Sequence, residues 1–392
     1  MAEFEQNLAR ELAELRKRHA YREFRTIQGI PGEWVEIKGR RLLNLSSNNY
    51  LGIANHPFIK ETSVRAVEEL GCGATASRYI AGNYELYDQV EQELARLKNT
   101  EEVLLFNTGY AANLGIISAL VGKGDLVLCD KLNHASIIDG IILSGAKLLR
   151  YKHLDLAHLE KILRQETGYR RRLIVTDTVF SMDGDLAPLP EIVNLKEKYG
   201  AVLMIDEAHG GGVFGPNGGG LAEFYGVSDR VEVTLGTLGK AYGCAGAYVA
   251  GRRVVIDYLR NKTRSLIFTT GLPPAVLGGI QGAIRVVRNE GWRRKEVLGK
   301  AAKVRDSLAG AGFNILNTRS QIIPLVTGTN ETTMEFSRRL EEAQILAVAI
   351  RSPAVPPNLA RLRLTVMATH RPEDLAQAVE TIIDIGRELA VI

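Results

Sequence analysis

Seven short, mostly apolar runs rich in β-branched residues recur between residues 102 and 251, and segments of helical period separate several of them. The runs are "EVLLF", "DLVLCD", "KLLRY", "RLIVTDTV", "AVLMIDEA", "VEVTLGTL" and "GAYVAG". Between them lie "GYAANLGIISALV", "ASIIDGIILSG" and "LPEIVNLKEKYG", and "YDQVEQELARL" precedes the first. Strands this apolar along their whole length must be covered on both faces, and helices that alternate with them supply the cover. The pattern predicts an α/β fold with a large, mainly parallel sheet. In such sheets ligands sit at the carboxyl ends of the strands.

The flanks differ in texture. The N-terminal stretch reads as an amphipathic helix to about residue 28, with Leu8, Leu12 and Leu15 on one face. A strand-and-turn region follows, then the polar turn "SSNNYLG". After "FTTGLPP", long helices lead into the strand runs "IIPLVTG", "ILAVAIRS" and "ARLRLTVMA", the texture of an α+β domain. The expected division is a helix-and-strand segment over 1–45, a large α/β domain over 46–280 and a smaller α+β domain over 281–392. The net charge of +4 suits small anionic ligands and gives no case for nucleic acid. The three cysteines form no CxxC pair, so neither a disulfide framework nor a zinc site is expected, and a reducing cytoplasm is the economical compartment. The start has no apolar leader, and no run suits a membrane span.

Two familiar nucleotide signals fail on context. "GGGVFG" at 210–215 spells a dinucleotide-loop pattern, yet four residues separate it from the strand and no helix follows. "DEAH" at 206–209 spells a helicase box, but "TLGTLGKA" lacks both the first glycine and the hydroxyl of a phosphate loop. What remains is an acid and an amine at neighbouring strand ends. Asp206 closes the run "AVLMI", either as a helix cap or as the partner of a buried cation. Lys240 stands among Gly236, Gly239 and Gly243, either as a solvated turn residue or as a reagent. Pyridoxal 5′-phosphate (PLP) requires that pair: an amine for its aldehyde and a carboxylate for its pyridinium nitrogen. Thr108-Gly109-Tyr110 opens a helix after a strand, where backbone N–H groups either are capped or hold a phosphate. His134, at a third strand end, is either structural or placed to stack on the ring.

The ordered set "SSNNYLG", "FNTGYAAN", "LNHASIIDG", "TDTVFSMDGDLAPLPEI", "IDEAH" and "TLGTLGKAYG" resembles the α-oxoamine synthases, PLP enzymes of fold type I, over about residues 4–388. The resemblance implies an aspartate aminotransferase-like fold, with a seven-stranded sheet domain and a smaller C-terminal domain. It also implies a decarboxylative condensation of an amino acid with an acyl thioester. Lys240 would join the cofactor and move protons, Asp206 would bind the pyridinium, and His209 and Ser181 would flank the 3′-oxygen. His134 would stack on the ring and position substrate. Gly109, Tyr110 and Thr237 would hold the phosphate, with Thr269 and Thr270 reaching it across a homodimer interface that shares the active site. Arg363 would grip the amino-acid carboxylate. No metal is implied.

Within the family, "TRSLIFTTGLPP" and "IRSPAVP" look most like the members that join L-alanine to a pimeloyl thioester, carried by CoA or an acyl-carrier protein, in biotin synthesis. Arg22 and Arg351 match substrate contacts and give an acyl chain ending in a carboxylate something to meet. Two departures stand out. Ala354 occupies a position where that group usually has a threonine contacting substrate, and "GGGVFGPNGGG" after His209 is glycine-rich enough to loosen a loop beside the ring. The rival within the family is a ligase joining glycine to acetyl-CoA. Rivals of other classes are an aminotransferase, which would turn over without a thioester, and a non-catalytic scaffold subunit, which would refuse PLP.

Overall fold

The computed structural model describes residues 2–352 and 354–392. Contacts divide the chain into a smaller unit, Met1–Ser47 with Met182–Gly184 and Gly299–Ile392, and a larger one, Asn48–Ser181 with Asp185–Leu298. Residue 280, the expected border, falls inside the helix Pro274–Asn289.

The smaller unit begins with helix α1 (Ala2–Lys17) and an antiparallel hairpin of β1 (Trp34–Ile37) and β2 (Arg40–Asn44). The helix stops ten or so residues short of the expected end near 28. The N–H groups of His19 and Ala20 turn back to the carbonyls of Arg16 and Leu15, and His19 takes the left-handed φ of 51°. This is a helix-terminating geometry that leaves the following residues extended. Leu8, Leu12 and Leu15 are exposed on α1.

The larger unit opens with helices α2 (Pro57–Leu70) and α3 (Glu85–Lys98). Strands and helices then alternate: β3 (Glu102–Phe106), α4 (Gly109–Leu120), β4 (Leu126–Asp130), α5 (Ala135–Ser144) and β5 (Lys147–Tyr151). Next come α6 (Leu156–Gln165), β6 (Arg172–Asp177), α7 (Leu189–Tyr199), β7 (Val202–Asp206), β8 (Val233–Thr237) and β9 (Ala247–Gly251). All seven expected strands are present, in one sheet of order β3-β9-β8-β7-β6-β4-β5. Only β9 runs against its neighbours. Every residue of β4 and of β9 is buried, so both faces of the sheet are covered. One face packs Val127, Val175, Met204 and Leu235 against Ile116 and Ile117 of α4 and Ile137 and Ile141 of α5. Burial of that kind stabilises by about 1.5–3 kcal/mol per side chain. From β4 the chain steps outward to β5, then returns to β6 on the other side of β4. That reversal opens a crevice at the strands' carboxyl ends.

The smaller unit continues with β10 (Ile322–Gly328), β11 (Ile345–Leu346), β12 (Val348–Ile350) and β13 (Ala360–Thr365). The run "ILAVAIRS" is two strands rather than one. β11 pairs in parallel with β2, and after Ala347 the chain changes sheets so that β12 pairs with β13. Phe313, Ile323, Leu325, Phe336, Leu362 and Ile382 form the core of this α+β unit.

Candidate active site

A cavity of about 370 Å³ lies at the carboxyl ends of β4, β6, β7 and β8, within the larger unit. It brings together Lys240, Asp206, His134, His209, Ser181 and Thr237, with Gly109 and Tyr110 at one end. The strands place them in sequence order: β7 ends on Asp206, β8 ends on Thr237, and β4 is followed by the short loop to His134. Lys240 lies in the tight connection between β8 and β9, where the Cys244 N–H bonds the Leu238 carbonyl and the Gly243 N–H bonds that of Lys240. Its Nζ donates to Thr237 Oγ1 at 3.2 Å.

Asp206 is 4% exposed and begins no helix. Its Oδ1 accepts the Ala208 N–H at 2.9 Å and its Oδ2 accepts Asn113 Nδ2 at 2.9 Å. Both donors are neutral, so this carboxylate is set to receive a cation from the cavity it lines. Beside it in register stands Asp177, whose carboxyl pKa is raised well above the usual range by burial first and by the charge of Asp206 second.

His134 is the N-cap residue of α5. Its backbone N–H donates to Asp177 Oδ2 at 2.8 Å, which fixes the ring's base. Burial is the main influence that lowers its pKa, with Lys240 pushing the same way and Asp206 opposing, so the imidazole is neutral at pH 7. The ring meets Tyr110 edge to face, with centroids 6.4 Å apart. On the far side of the cavity, His209 Nδ1 lies 2.7 Å from the Tyr50 hydroxyl, which itself donates to Asn48 Oδ1 at 3.0 Å. The phenol has one proton to give, and it goes to Asn48, so His209 Nδ1 is the donor to the Tyr50 hydroxyl.

The end of the cavity at α4 suits a phosphate. Thr108 caps the helix by accepting the Ala111 N–H at 3.1 Å. The N–H groups of Gly109 and Tyr110, the first of the helix, have no protein acceptor among the described residues. Helix dipole and open N–H groups together attract a dianion. A Cβ on Gly109 would come within 2.5 Å of Thr237 Cγ2, so the close approach of this turn to β8 depends on glycine. Thr269 and Thr270 lie outside this cavity's lining and hold Asn107, whose Nδ2 donates to the Thr270 carbonyl at 2.8 Å.

The glycine-rich loop after His209 is not loose. Residues 206–214 are buried, and the Glu207 carboxylate ties the loop together. It accepts Thr178 Oγ1 at 2.8 Å, the Leu221 N–H at 3.0 Å and the Ala222 N–H at 2.9 Å. Gly220, at φ 109°, packs directly on that carboxylate, where a Cβ would lie 2.5 Å from Glu207 Cδ. The glycines make room for an acid.

The substrate residues expected from the resemblance other than His134 fall in the smaller unit. Arg22, Arg351 and Ala354 line one cavity of about 950 Å³. The Arg351 guanidinium donates to the carbonyls of His19 and Tyr21. Burial first, then the charges of Arg22 and Arg25, lower its pKa. Pro353 of the "IRSPAVP" motif lies outside the described residues. Arg363 is buried on β13, and its neighbour Arg361 binds Asp183 at 2.6 Å.

Among the cavity's groups that the sequence did not single out are Asn113, Asp177 and Ser136. Asn113 stands one helical turn after Gly109, so the i, i+4 spacing was a usable signal. Asp177 was legible too, since "RLIVTD" and "VLMID" are adjacent strands that both end on aspartate. Ser136 carried no signal beyond its closeness to His134.

The cavity therefore offers an amine, a carboxylate held by neutral donors, a neutral imidazole and an open helix N-terminus, the donor set that PLP fits. Residues 40–382 match the family described as aminotransferase class I and II. The 8-amino-7-oxononanoate synthase of Citrifermentans bemidjiense is 49% identical over 389 residues, 99% of this chain and 100% of that one. Among solved structures, a serine palmitoyltransferase from S. paucimobilis carrying a PLP–myriocin adduct matches with a TM-score of 0.94 at 30% identity, over 98% of each chain. An 8-amino-7-oxononanoate synthase from Francisella tularensis matches with a TM-score of 0.78 at 27% identity, over 88% of this chain and 98% of that one. The chain belongs to the aminotransferase class I and II family, as a PLP-dependent acyltransferase of its α-oxoamine synthase branch.

Proposed function

We propose that the chain condenses L-alanine with a pimeloyl thioester, carried by CoA or an acyl-carrier protein, to give 8-amino-7-oxononanoate in biotin synthesis. A carbon–carbon bond forms between the alanine Cα and the thioester carbonyl. The carbon–sulfur bond breaks to free the thiol, and the alanine carboxylate departs as CO2. PLP, when bound, supplies an aldehyde for the amino group and a ring that accepts electrons from Cα. Lys240 holds the cofactor and moves the proton at Cα. Asp206 keeps a proton at the ring nitrogen, and the open N–H groups of Gly109 and Tyr110, with Thr237, hold the phosphate. Ser181 and His209 flank the 3′-oxygen. His134 covers the ring and orients substrate as a neutral imidazole. Arg363 binds the amino-acid carboxylate.

The observation that favours a pimeloyl chain is the crowding of cations around Arg351. Burial and the neighbouring charges of Arg22 and Arg25 disfavour its charged form; Arg25 already pairs with Glu341 at 3.0 Å, and a carboxylate entering the cavity would meet Arg22 and Arg351. A homodimer fits the exposure of Phe268 beside Thr269 and Thr270, which would reach the partner's phosphate site. Among the described residues, no helix is long and apolar enough to cross a membrane.

The test is thiol release by the PLP-loaded protein. Faster release from L-alanine with pimeloyl-CoA than from glycine with acetyl-CoA is expected, and the reverse order would assign the ligase reaction instead. Alanine turnover with an oxo acid and no thioester would assign an aminotransferase.

A further inference from the structure

Asn113 is 2% exposed on α4 and spends its amide in an unusual way. Nδ2 donates at 2.9 Å to Asp206 Oδ2 and at 3.0 Å to Ser136 Oγ, while Oδ1 is buried without a partner. A flipped amide would set Oδ1 against the Asp206 carboxylate, two acceptors with no proton between them, so the observed orientation is the favourable one. An orphaned buried carbonyl costs about 1–3 kcal/mol. A buried side chain serving only to fill space at this point of the cavity wall would be apolar and avoid that cost. Asn113 is therefore explained by what its two N–H groups do.

Those two bonds reach both sides of the cavity. Ser136 Oγ accepts from Asn113 and lies 2.7 Å from His134 Nδ1. The Ser136 N–H also donates to that nitrogen at 3.3 Å, so Nδ1 is an acceptor and, with Asn113 on one lone pair of the oxygen, the hydroxyl's single proton is directed at it. The ring proton of His134 is thus on Nε2. We propose that Asn113 is a positioning residue that couples the two sides of the site: one amide orients the Asp206 carboxylate toward the pyridinium and, through Ser136, sets His134 in the Nε2–H tautomer. The amide does this without charge, so it leaves the carboxylate's negative charge for the cation the cofactor brings. The inference rests on PLP lying between Asp206 and His134, as in the function proposed above. Its readout needs no substrate and so stands or falls apart from the choice of alanine and pimeloyl thioester.

The experiment is 15N NMR of the histidine rings in the PLP-loaded, full-length protein, with the His134 signals assigned by their loss in His134→Gln. The wild-type protein should show a neutral ring protonated at Nε2. In Asn113→Asp the side chain accepts instead of donating, the Ser136 hydroxyl turns toward it, and His134 should move to the Nδ1–H tautomer. Should that variant not fold, Ser136→Ala removes the hydroxyl link at 2.7 Å and leaves Nδ1 only the longer backbone N–H contact of 3.3 Å: the His134 ring should become a mixture of tautomers while the cofactor's visible spectrum stays unchanged. Asn113→Leu should shift that spectrum and weaken PLP binding by about tenfold or more. An Nε2–H tautomer that persists in folded Asn113→Asp or in Ser136→Ala would overturn the proposal, as would an unchanged spectrum and PLP affinity in Asn113→Leu.

Discussion

Asp177 and Asp206 are register partners, the last residues of β6 and β7, with their backbones side by side in a parallel ladder. Adjacent strands run about 5 Å apart. Two carboxylates at a comparable separation repel by about 3 kcal/mol at an effective dielectric constant of about 20, so they do not both ionise freely. Asp206 has Asn113 and the Ala208 N–H to stabilise its anion, and Asp177 carries the raised pKa. Burial and the charge of Asp206 therefore both weigh against ionising Asp177, while Asp206 is the carboxylate that the two donors hold.

That division of labour predicts unequal mutants. Asp206→Asn removes the charge opposite the ring nitrogen, and kcat should fall by about 10²–10⁴-fold. Asp177→Asn removes a carboxyl whose ionisation burial already disfavours and keeps an acceptor for the His134 N–H. Its kcat should stay within about threefold of wild type, since replacements that keep the hydrogen bond are mild. Comparable losses in the two variants, measured by thiol release, would contradict the assignment.

Arg22→Gln and Arg351→Gln test the acyl group. A charge-assisted hydrogen bond to a carboxylate contributes about 1.5–3 kcal/mol, so each change should raise the KM for pimeloyl-CoA by about ten- to a hundredfold. The KM for acetyl-CoA as a poor substitute should move little. If both substrates suffer equally, these arginines serve the CoA phosphates rather than the acyl chain.

The sheet and the placement of Lys240, Asp206 and His134 were legible because both rest on local pattern. Uninterrupted β-branched runs mark strands covered on both faces, and chemistry-bearing residues follow the runs' ends. What escaped the sequence depends on partners distant along the chain. The helix α1 ends where His19 turns left-handed, with no proline or glycine to announce it. The split of "ILAVAIRS" is decided by β2 on one side of Ala347 and β13 on the other. The glycines at 210–220 look like flexibility until the carboxylates beside them are seen in space: Gly210 and Gly220 pack on Glu207, and Gly215 and Gly219 on Glu223.

His153 gives the larger unit a pH limit. Burial pulls its pKa down, but Nδ1 bonds Asp130 at 2.9 Å and Nε2 bonds Asp185 at 2.8 Å, and together these raise it to about 10. A folded pKa above the unfolded value near 6.5 means stability fully present below about pH 6.5 and lost as pH rises through about 10. Denaturation midpoints should drop between pH 7 and 10.5 in the wild type, and His153→Gln should remove part of that slope. Parallel slopes for the two proteins would show that the triad carries no such linkage. The Asp130 anchor also accepts the Leu132 N–H at 2.8 Å, two residues before His134, so the same pH range should loosen the loop that carries the imidazole.

Gly109 and Thr237 permit a test of the phosphate end by paired substitution. Gly109→Ala places a methyl 2.5 Å from Thr237 Cγ2, closer than real carbon contacts, and one side must move. The helix start would shift away from β8, and its N–H groups would leave the position that suits an anion. PLP affinity should fall by about tenfold, the size of effect expected when a charge-assisted hydrogen bond is misplaced. Thr237→Ser removes only Cγ2 and retains the hydroxyl that receives Lys240 Nζ. The single serine variant should therefore bind PLP nearly as well as wild type, and the double variant should recover most of the affinity lost in Gly109→Ala. The measurement is PLP titration by absorbance for all four proteins. Non-additivity of that sign ties the loss to the clash between these two residues. A double variant as weak as Gly109→Ala alone would instead place the loss in the helix start itself, through the backbone rather than the contact with β8.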